Sequence, residues 1–175
     1  MDHRLVDNSS TTGLWLGGLY YKYTAHENLE TGIGLAYLDV KSLSTDSWTY
    51  QIRPQLEINP RFELSDSVSF HMRNRLEVRY IESRSGPNVR TRHRLQLASA
   101  IDWQAAKRLY FNTELFYSHE THEFNEVRTI PIGLGLQLSE RTSLNLFYMI
   151  QSRRQSSTSS WGHAHALGTH LVYNF

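Results

Sequence analysis

The chain has 175 residues, which suits one domain spanning 1–175 with a sizeable core or a closed barrel. Its 18 basic and 17 acidic side chains nearly cancel, so the net charge of +1 gives no sign of nucleic acid or another polyanionic partner. The absence of Cys excludes disulfides, thiol catalysis and thiolate metal sites, and no apolar run approaches the roughly 18 residues of a spanning helix.

Alternation of apolar and polar residues with a period of two dominates the chain and predicts β-strands throughout. Short segments rich in Ser, Asn, Gly and Pro separate the strands. Most strands exceed ten residues, whereas soluble strands average about five or six and membrane-spanning strands need about 9–11. Strand length therefore favours a membrane barrel. In chain order the predicted strands are 3–8, 13–24, 30–41, 47–59, 67–82, 89–103, 108–119, 123–137, 141–153 and 162–175.

Most predicted strands separate an apolar face from a polar face. In 47–59, Ile52 and Leu56 share one face, and Arg53 and Glu57 share the other. Strand 123–137 is less regular, and its proline at position 131 predicts a bulge.

Two consecutive strands carry charge on one whole face. Residues 71–80 read HMRNRLEVRY and 90–95 read RTRHRL, with a basic or acidic side chain at almost every second position. Across the chain, arginine outnumbers lysine 15 to 3. Arginine is preferred where charges form planar, bidentate pairs away from bulk water. The composition thus indicates a charged face that is shielded from solvent.

Alternation alone does not identify the inward face. A soluble barrel or sandwich buries the apolar face, whereas a membrane barrel turns it toward lipid and encloses the polar face. Aromatic residues cluster toward the strand ends, as interfacial girdles do. Together with the arginine excess, this pattern favours the membrane arrangement.

The end of the chain carries a candidate assembly signal. Leu171, Tyr173 and the terminal Phe175 lie on one face of the last predicted strand. A final alternating strand that ends in Phe resembles the signal read by the bacterial outer-membrane assembly machinery. The resemblance implies that this machinery is a partner.

The strand count bears on the architecture. Single-chain bacterial barrels have an even number of strands, and the segment 3–8 supplies a tenth strand. The prediction is an all-β, antiparallel, transmembrane up-and-down β-barrel of ten strands, the first short or truncated, with eight strands as the alternative. The start MDHRLVDNSS has no apolar core, so we expect the signal peptide to be absent from this chain.

Several segments resemble an uncharacterised family of Gram-negative outer-membrane β-barrel proteins, a domain of unknown function. They are RNRLEVRY (73–80), RTRHRL (90–95), FNEVR (124–128), LFYMIQ (146–151) and the closing HALGTHLVYNF. Glu114 to Phe116 and the GLGL run at 133–136 extend the resemblance, which covers most of the chain from about residue 48. It implies an outer-membrane barrel and supplies no reaction, ligand or catalytic residues.

The candidate site is the set of charged residues expected inside the barrel. Eight arginines face four glutamates there. We interpret them as a hydrogen-bonded network that fills a narrow lumen, because buried unpaired charges would cost several kcal/mol each. The alternative is an anion-selective pore or a site for an acidic ligand. The full set is Arg53, Glu57, His71, Arg73, Arg75, Glu77, Arg79, Arg90, Arg92, Arg94, Glu114, Glu126 and Arg128.

Other chemistry has weaker support in the sequence. HETHE at 119–123 lacks the helical spacing of a zinc-binding H-E-x-x-H motif, and His163 and His165 alternate on one strand. Ser118 stands beside His119, without a convincing third member of a catalytic set. We expect no metal, no cofactor and no catalytic residues.

The sequence therefore predicts a protein of the bacterial outer membrane with a structural role or a narrow channel or binding role. Its expected partners are outer-membrane lipid, lipopolysaccharide and the assembly machinery; the sequence predicts no nucleic acid partner and leaves the oligomeric state open. Two alternatives from other classes are a lipid-modifying outer-membrane enzyme with a site at the outer rim and a soluble, lipocalin-like carrier.

Overall fold

The computed structural model describes residues 2–6, 11–42, 45–82, 84–155 and 160–173, with the backbone alone for 2–6, 11 and 12. This part of the chain is all-β. No helix in the described ranges is long and apolar enough to cross a membrane. The strands are β1 Asp2–Val6, β2 Thr11–His26, β3 Leu29–Lys41, β4 Trp48–Glu63, β5 Val68–Ile81, β6 Asn88–Trp103, β7 Ala106–Ser118, β8 Glu123–Gln137, β9 Thr142–Arg154 and β10 Trp161–Tyr173.

Each strand pairs antiparallel with its neighbour in sequence. The nine long strands β2 to β10 form an up-and-down sheet, and the short β1 pairs with β2 at one edge. The predicted all-β, antiparallel, up-and-down topology is confirmed. No pairing between described residues joins β10 to β1 or β2, so the finer prediction of a closed barrel stays a proposal.

The sheet curls into a half-barrel. Arg75 on β5 places its guanidinium carbon 5.8 Å from the ring centre of Tyr20 on β2, three strands away. Neighbouring strands lie about 4.7–4.9 Å apart, so a flat sheet would hold these groups far apart. Side chains from β2 to β8 therefore converge on one concave face.

The strand bounds agree with the predicted ones to within two residues at most ends, and the largest difference is at the end of β4. The sequence predicts that this strand ends at residue 59, but β4 continues through Glu63. The strand is extended because Phe62 pairs with Phe70 on β5, and their rings stack at 6.3 Å. The predicted bulge at Pro131 is confirmed, since the β8–β9 register shifts between Thr129 and Ile132.

The two faces of the sheet have opposite character. Apolar side chains stand exposed on the convex face, with Leu19 82% and Leu167 87% exposed. Charged side chains are buried on the concave face, where Glu77 is only 1% exposed. This polarity is the reverse of a water-soluble sheet, which buries its apolar face.

Glycines on the concave face lie under aromatic rings of the neighbouring strand. Gly133 pairs directly with Tyr110, and a Cβ built on it would lie 2.2 Å from the Tyr110 ring. Gly168 pairs with Phe147 in the same way, at 2.3 Å. Because these glycines lack a side chain, the rings can lie across the backbone and fill the inside of the curled sheet.

Candidate functional site: the charged concave face

The structure places all thirteen predicted lumen residues on the concave face of β4 to β8. We call this set the charged face. The strand alternation puts them there, since they occupy odd positions of β4 and β5 and even positions of β6, β7 and β8. The register then aligns them in rows across the sheet.

The rows place like charges directly opposite each other. Arg75 pairs with Arg92, and Arg73 pairs with Arg94, on adjacent strands. Directly opposed like charges destabilise a sheet. The glutamates of the charged face lie between these guanidiniums and offset the repulsion.

Glu77 is the most buried of these acids. Its carboxylate accepts hydrogen bonds from Nε and Nη2 of Arg90 at 3.0 and 2.6 Å and from Nη1 of Arg92 at 2.6 Å. Arg75 adds a longer contact from Nη1 at 3.5 Å. Three guanidiniums from two strands therefore share one carboxylate.

Glu114 holds a second cluster. Arg92 donates side-on, from Nε at 3.0 Å and from Nη2 at 3.1 Å, one bond to each carboxylate oxygen. Arg73 donates from Nη2 at 2.7 Å, although it lies two strands away on β5. Arg92 thus links the Glu114 cluster to the Glu77 cluster.

The remaining two glutamates each hold one near arginine. Glu57 accepts from Nε of Arg75 at 2.5 Å, and Glu126 accepts from Nε of Arg128 at 2.5 Å. Arg153 makes a longer contact with Glu126 at 3.5 Å. All four acids of the charged face are held by guanidiniums, so none is a free general base.

Phe116 lies at the centre of the network and was missed by the sequence analysis. Its side chain is fully buried, with 0% exposure. The guanidinium carbons of Arg90, Arg92 and Arg128 lie 4.9, 4.7 and 4.7 Å from its ring centre. Strand parity could have found it, because Phe116 shares its face with Glu114 on β7.

Three arginines of the charged face have no carboxylate partner among the described residues. Arg53 donates to Oε1 of Gln51 at 2.6 Å, and Arg79 donates to Oδ1 of Asn88. Arg94 makes no hydrogen bond or ion pair within the described ranges. His71, the one histidine of the set, contacts Oγ of Ser69 at 3.1 Å.

The structure does not bring Ser118 and His119 together. Ser118 is buried, and its hydroxyl accepts from the amide of Thr121 at 3.3 Å, whereas the His119 ring packs edge-on against Tyr117 at 5.1 Å. Consecutive strand residues point to opposite faces, which separates the pair.

A different serine and histidine meet on the convex face. Ser152 on β9 lies 2.9 Å, oxygen to Nδ1, from His163 on β10. His165 stacks on Tyr148 and bonds its hydroxyl at 2.5 Å. Within the described ranges, no group of three His, Asp or Glu side chains is placed to hold a metal ion.

The predicted assembly signal lies only partly within the described chain. Leu171 and Tyr173 are 62% and 51% exposed on β10. Phe175 lies outside the described residues.

The profile of a protein family of unknown function, DUF2490, matches residues 1–162. The match includes β1 to β9, the first two residues of β10 and the whole charged face. The chain belongs to this family. DUF2490 membership agrees with the resemblance to an uncharacterised family. A search of curated proteins found no significant match.

Proposed function

We propose that this DUF2490 protein is an integral β-barrel of the Gram-negative outer membrane. The curled sheet would close into ten strands around the charged face, and the convex face would meet lipid. The observation that carries the proposal is the inverted polarity of the sheet, with apolar side chains exposed and charged side chains buried.

The apolar convex surface supports this location. Soluble monomers rarely expose contiguous apolar patches larger than a few hundred Å². Here exposed apolar side chains occur on every long strand, including Ile33 at 58%, Ile58 at 55% and Ile132 at 56%. A soluble lipocalin-like carrier would need the opposite arrangement, with these side chains inside.

Aromatic side chains near the strand ends fit the two membrane interfaces. Trp103 ends β6 and is 68% exposed, and Tyr23 near the end of β2 is 59% exposed. Trp48 and Trp161 begin β4 and β10 at the opposite end of the sheet. Two such girdles flank the apolar band of membrane barrels.

The charged face would form the lumen. A barrel of eight to ten strands leaves an interior that side chains nearly fill. Phe116 and the arginines stacked on it occupy the middle of the described half. The proposed role is therefore structural, or a narrow passage or binding site, rather than a wide pore.

The proposed partners follow from this location. The convex face would contact outer-membrane lipid and, at the outer rim, lipopolysaccharide. The last strand would engage the assembly machinery through Leu171, Tyr173 and Phe175. The first two lie on one exposed face of β10, the strand at the sheet edge.

Cell fractionation with a heat-modifiability gel tests the proposal. The protein should fractionate with outer membranes and migrate faster on an SDS gel before boiling than after it. Recovery in the soluble fraction, without a shift on boiling, would contradict it.

A charge on the convex face gives a sharper comparison. Leu35 is 51% exposed in the middle of β3. An arginine there would cost about 2–4 kcal/mol at the midplane of a bilayer but little in water. Leu35→Arg should lower the folded, membrane-inserted fraction, whereas Ser65→Arg, in the turn before β5, should not. Equal insertion of both variants would argue that the convex face does not meet lipid.

We infer as a second candidate a lipid-modifying enzyme with its site at the outer rim, because Ser152 contacts His163 on the convex face. A neighbouring histidine can take the proton of an attacking hydroxyl. No carboxylate orients the His163 ring within the described chain, so this candidate ranks second. Phospholipid hydrolysis that is lost in Ser152→Ala would favour it, and no hydrolysis by the folded protein would remove it.

A further inference from the structure

A cavity of about 450 Å³ opens on the concave face between β2 and β6. It lies toward the end of the sheet where β4 turns into β5, away from Ser152 and His163. Its volume falls in the range of small-molecule sites, about 300–1,000 Å³. Tyr20 and Pro60 contribute less polar parts of the wall.

The cavity wall has an excess of positive charge. Five basic side chains line it, Lys22, Arg61, Arg73, Arg75 and Arg94, against two acids, Glu30 and Glu57. Both acids are already engaged, since Lys22 contacts Glu30 at 2.7 Å and Arg75 binds Glu57. Arg61 and Arg73 also have carboxylate partners, Glu63 and Glu114. An anion entering the cavity would therefore meet one guanidinium without a carboxylate partner in the described chain, that of Arg94.

Three polar groups of the wall lack partners within the described chain. Arg94 is half-buried and makes no hydrogen bond or ion pair there. Nε of Arg73 is fully buried without an acceptor. Oδ1 of Asn59 is buried without a donor, while its amide nitrogen donates to Glu30 and Glu57 at 3.2 and 3.1 Å. Unpaired buried polar groups are costly, and few native ones lack an explanation.

These three groups lie in one row across the sheet. Arg73 on β5 pairs directly with Arg94 on β6, and the β4–β5 register places Asn59 on the other side of Arg73. Opposed side chains in a sheet start about 5 Å apart, so the row spans roughly 10 Å. One small molecule can reach all three.

We propose that this cavity binds a small hydroxylated acid. Its carboxylate or phosphate oxygens accept hydrogen bonds from Arg94 and from Nε of Arg73, and a hydroxyl group donates to Oδ1 of Asn59. The ligand would supply both acceptors and the donor that the wall lacks. The proposal goes beyond the membrane location, because it rests on the concave face alone.

Calorimetric titration of the folded full chain tests the site with two pairs of probes. Malate and succinate differ by one hydroxyl group, as a test of a carboxylate ligand. Glycerol phosphate and propyl phosphate, which has the same ester group and no hydroxyl on its carbon chain, test a phosphate ligand. We expect saturable binding of malate or glycerol phosphate, about tenfold tighter than its hydroxyl-free analogue. If malate binds more tightly than glycerol phosphate, the acid group of the ligand is a carboxylate; the reverse result indicates a phosphate.

Arg94→Gln should weaken this binding about tenfold or more, because it removes a charge-assisted hydrogen bond. Arg79→Gln is the matched control. Arg79 also lies on the charged face without a carboxylate partner and with an unpaired buried Nε, but it does not line the cavity. It should change the affinity less than twofold. Arg94→Lys keeps the charge and should retain partial binding.

Both glutamine variants should fold, since neither arginine has a carboxylate partner, and circular dichroism checks this. An absence of saturable binding to all four probes by the folded protein overturns the site. If Arg94→Gln and Arg79→Gln weaken binding of the probe equally, the effect is a general effect of charge, and this result also overturns the site. Equal affinity for the analogues without a hydroxyl overturns the contact to Asn59.

Discussion

The guanidinium of Arg92 binds the carboxylate of Glu114 side-on, with one hydrogen bond to each oxygen at 3.0 and 3.1 Å. Such bidentate pairs are the strongest form of this contact. Arg92 also reaches Glu77, so the two acids and one arginine form a chain across β5, β6 and β7. Over the whole charged face the acids are scarcer, four against eight arginines. The loss of an acid should therefore cost more than the loss of an arginine.

Replacing Glu114 should destabilise the protein more than replacing Arg92. Glu114→Gln leaves Arg73 without a carboxylate, beside Arg94, which has none either. Breaking a buried pair costs about 3–5 kcal/mol. After Arg92→Gln, Glu114 keeps Arg73 and Glu77 keeps Arg90. Urea unfolding of the folded protein in detergent, followed by tryptophan fluorescence, compares the two.

Glu63→Gln is the control for this comparison. Glu63 pairs with Arg61 at 2.6 Å, but both side chains are more than half exposed. Exposed pairs contribute about 0–1 kcal/mol, so this variant should unfold close to the wild type. If Arg92→Gln has a lower free energy of unfolding than Glu114→Gln, the concave face behaves as an open, hydrated surface and not as a network limited by its acids.

Replacing Phe116 should lower the unfolding free energy more than replacing an aromatic residue on the convex face. Phe116→Leu removes the ring on which three guanidiniums stack and leaves a partly empty space. We expect a loss of about 2 kcal/mol or more in unfolding free energy. Phe111→Leu, five residues earlier on β7 and 44% exposed, should cost clearly less in the same urea experiment. Equal costs would show that the cation–π stack contributes little.

Strand faces were predictable from the sequence because they depend on local alternation, and strand order was predictable because short connections make consecutive strands neighbours. The period of two assigns Arg92 and Glu114 to the charged side without knowledge of any partner. The end of β4 was not predictable in this way. Asn59 and Pro60 are typical of turns, but pairing of Phe62 with β5 overrides that local preference.

The sequence also did not predict which arginine of the charged face pairs with which glutamate. The composition shows a surplus of arginine over glutamate, but it does not show that Arg94 lacks a partner within the described part of the chain. That depends on the register between β5, β6 and β7 and on the reach of Arg73 across two strands. The contact between Ser152 and His163 likewise depends on the β9–β10 register.

The two ends of the proposed barrel should differ in access from outside the cell. The turn after β5 and the turn after β6 lie at opposite ends of the sheet. If the C-terminus is periplasmic, Ser85 faces outward and Ala105 faces the periplasm. Ser85→Cys is preferable to a cysteine at Gly86, whose φ of +92° disfavours a side chain.

On whole cells, an impermeant thiol reagent should label Ser85→Cys and leave Ala105→Cys unlabelled. Both should react after the outer membrane is permeabilised. Because the natural chain has no cysteine, the signal comes from the introduced residue alone. If only Ala105→Cys is labelled on intact cells, the barrel has the opposite orientation to the one proposed.

Removal of Phe175 should reduce the amount of protein in the outer membrane without reducing its synthesis. The terminal aromatic residue is the most specific part of the proposed assembly signal. Pulse labelling measures synthesis, and the heat-modifiable band measures insertion. Phe175→Tyr keeps an aromatic terminus and should insert better than the truncated chain. Unchanged insertion after the deletion would remove Phe175 from the signal.

A side chain on Gly133, the glycine opposite Tyr110, should destabilise the protein while that ring is present. A Cβ on Gly133 would lie 2.2 Å from the Tyr110 ring, which is itself buried and stacked under Arg108. Gly133→Ala should therefore cost about 1–3 kcal/mol in unfolding free energy, as overpacking does. Gly17→Ala is the control, because a Cβ there meets nothing within 4 Å.

A double-mutant cycle separates this clash from a general loss of strand flexibility. Tyr110→Ala removes the ring and should destabilise the protein on its own. On that background Gly133→Ala should cost little, because its Cβ then enters space that the ring has vacated. The two changes are directly paired across β7 and β8, so their energies should not add. If the losses in unfolding free energy of the two single variants add fully in the double variant, the cost of Gly133→Ala does not come from a clash with the Tyr110 ring.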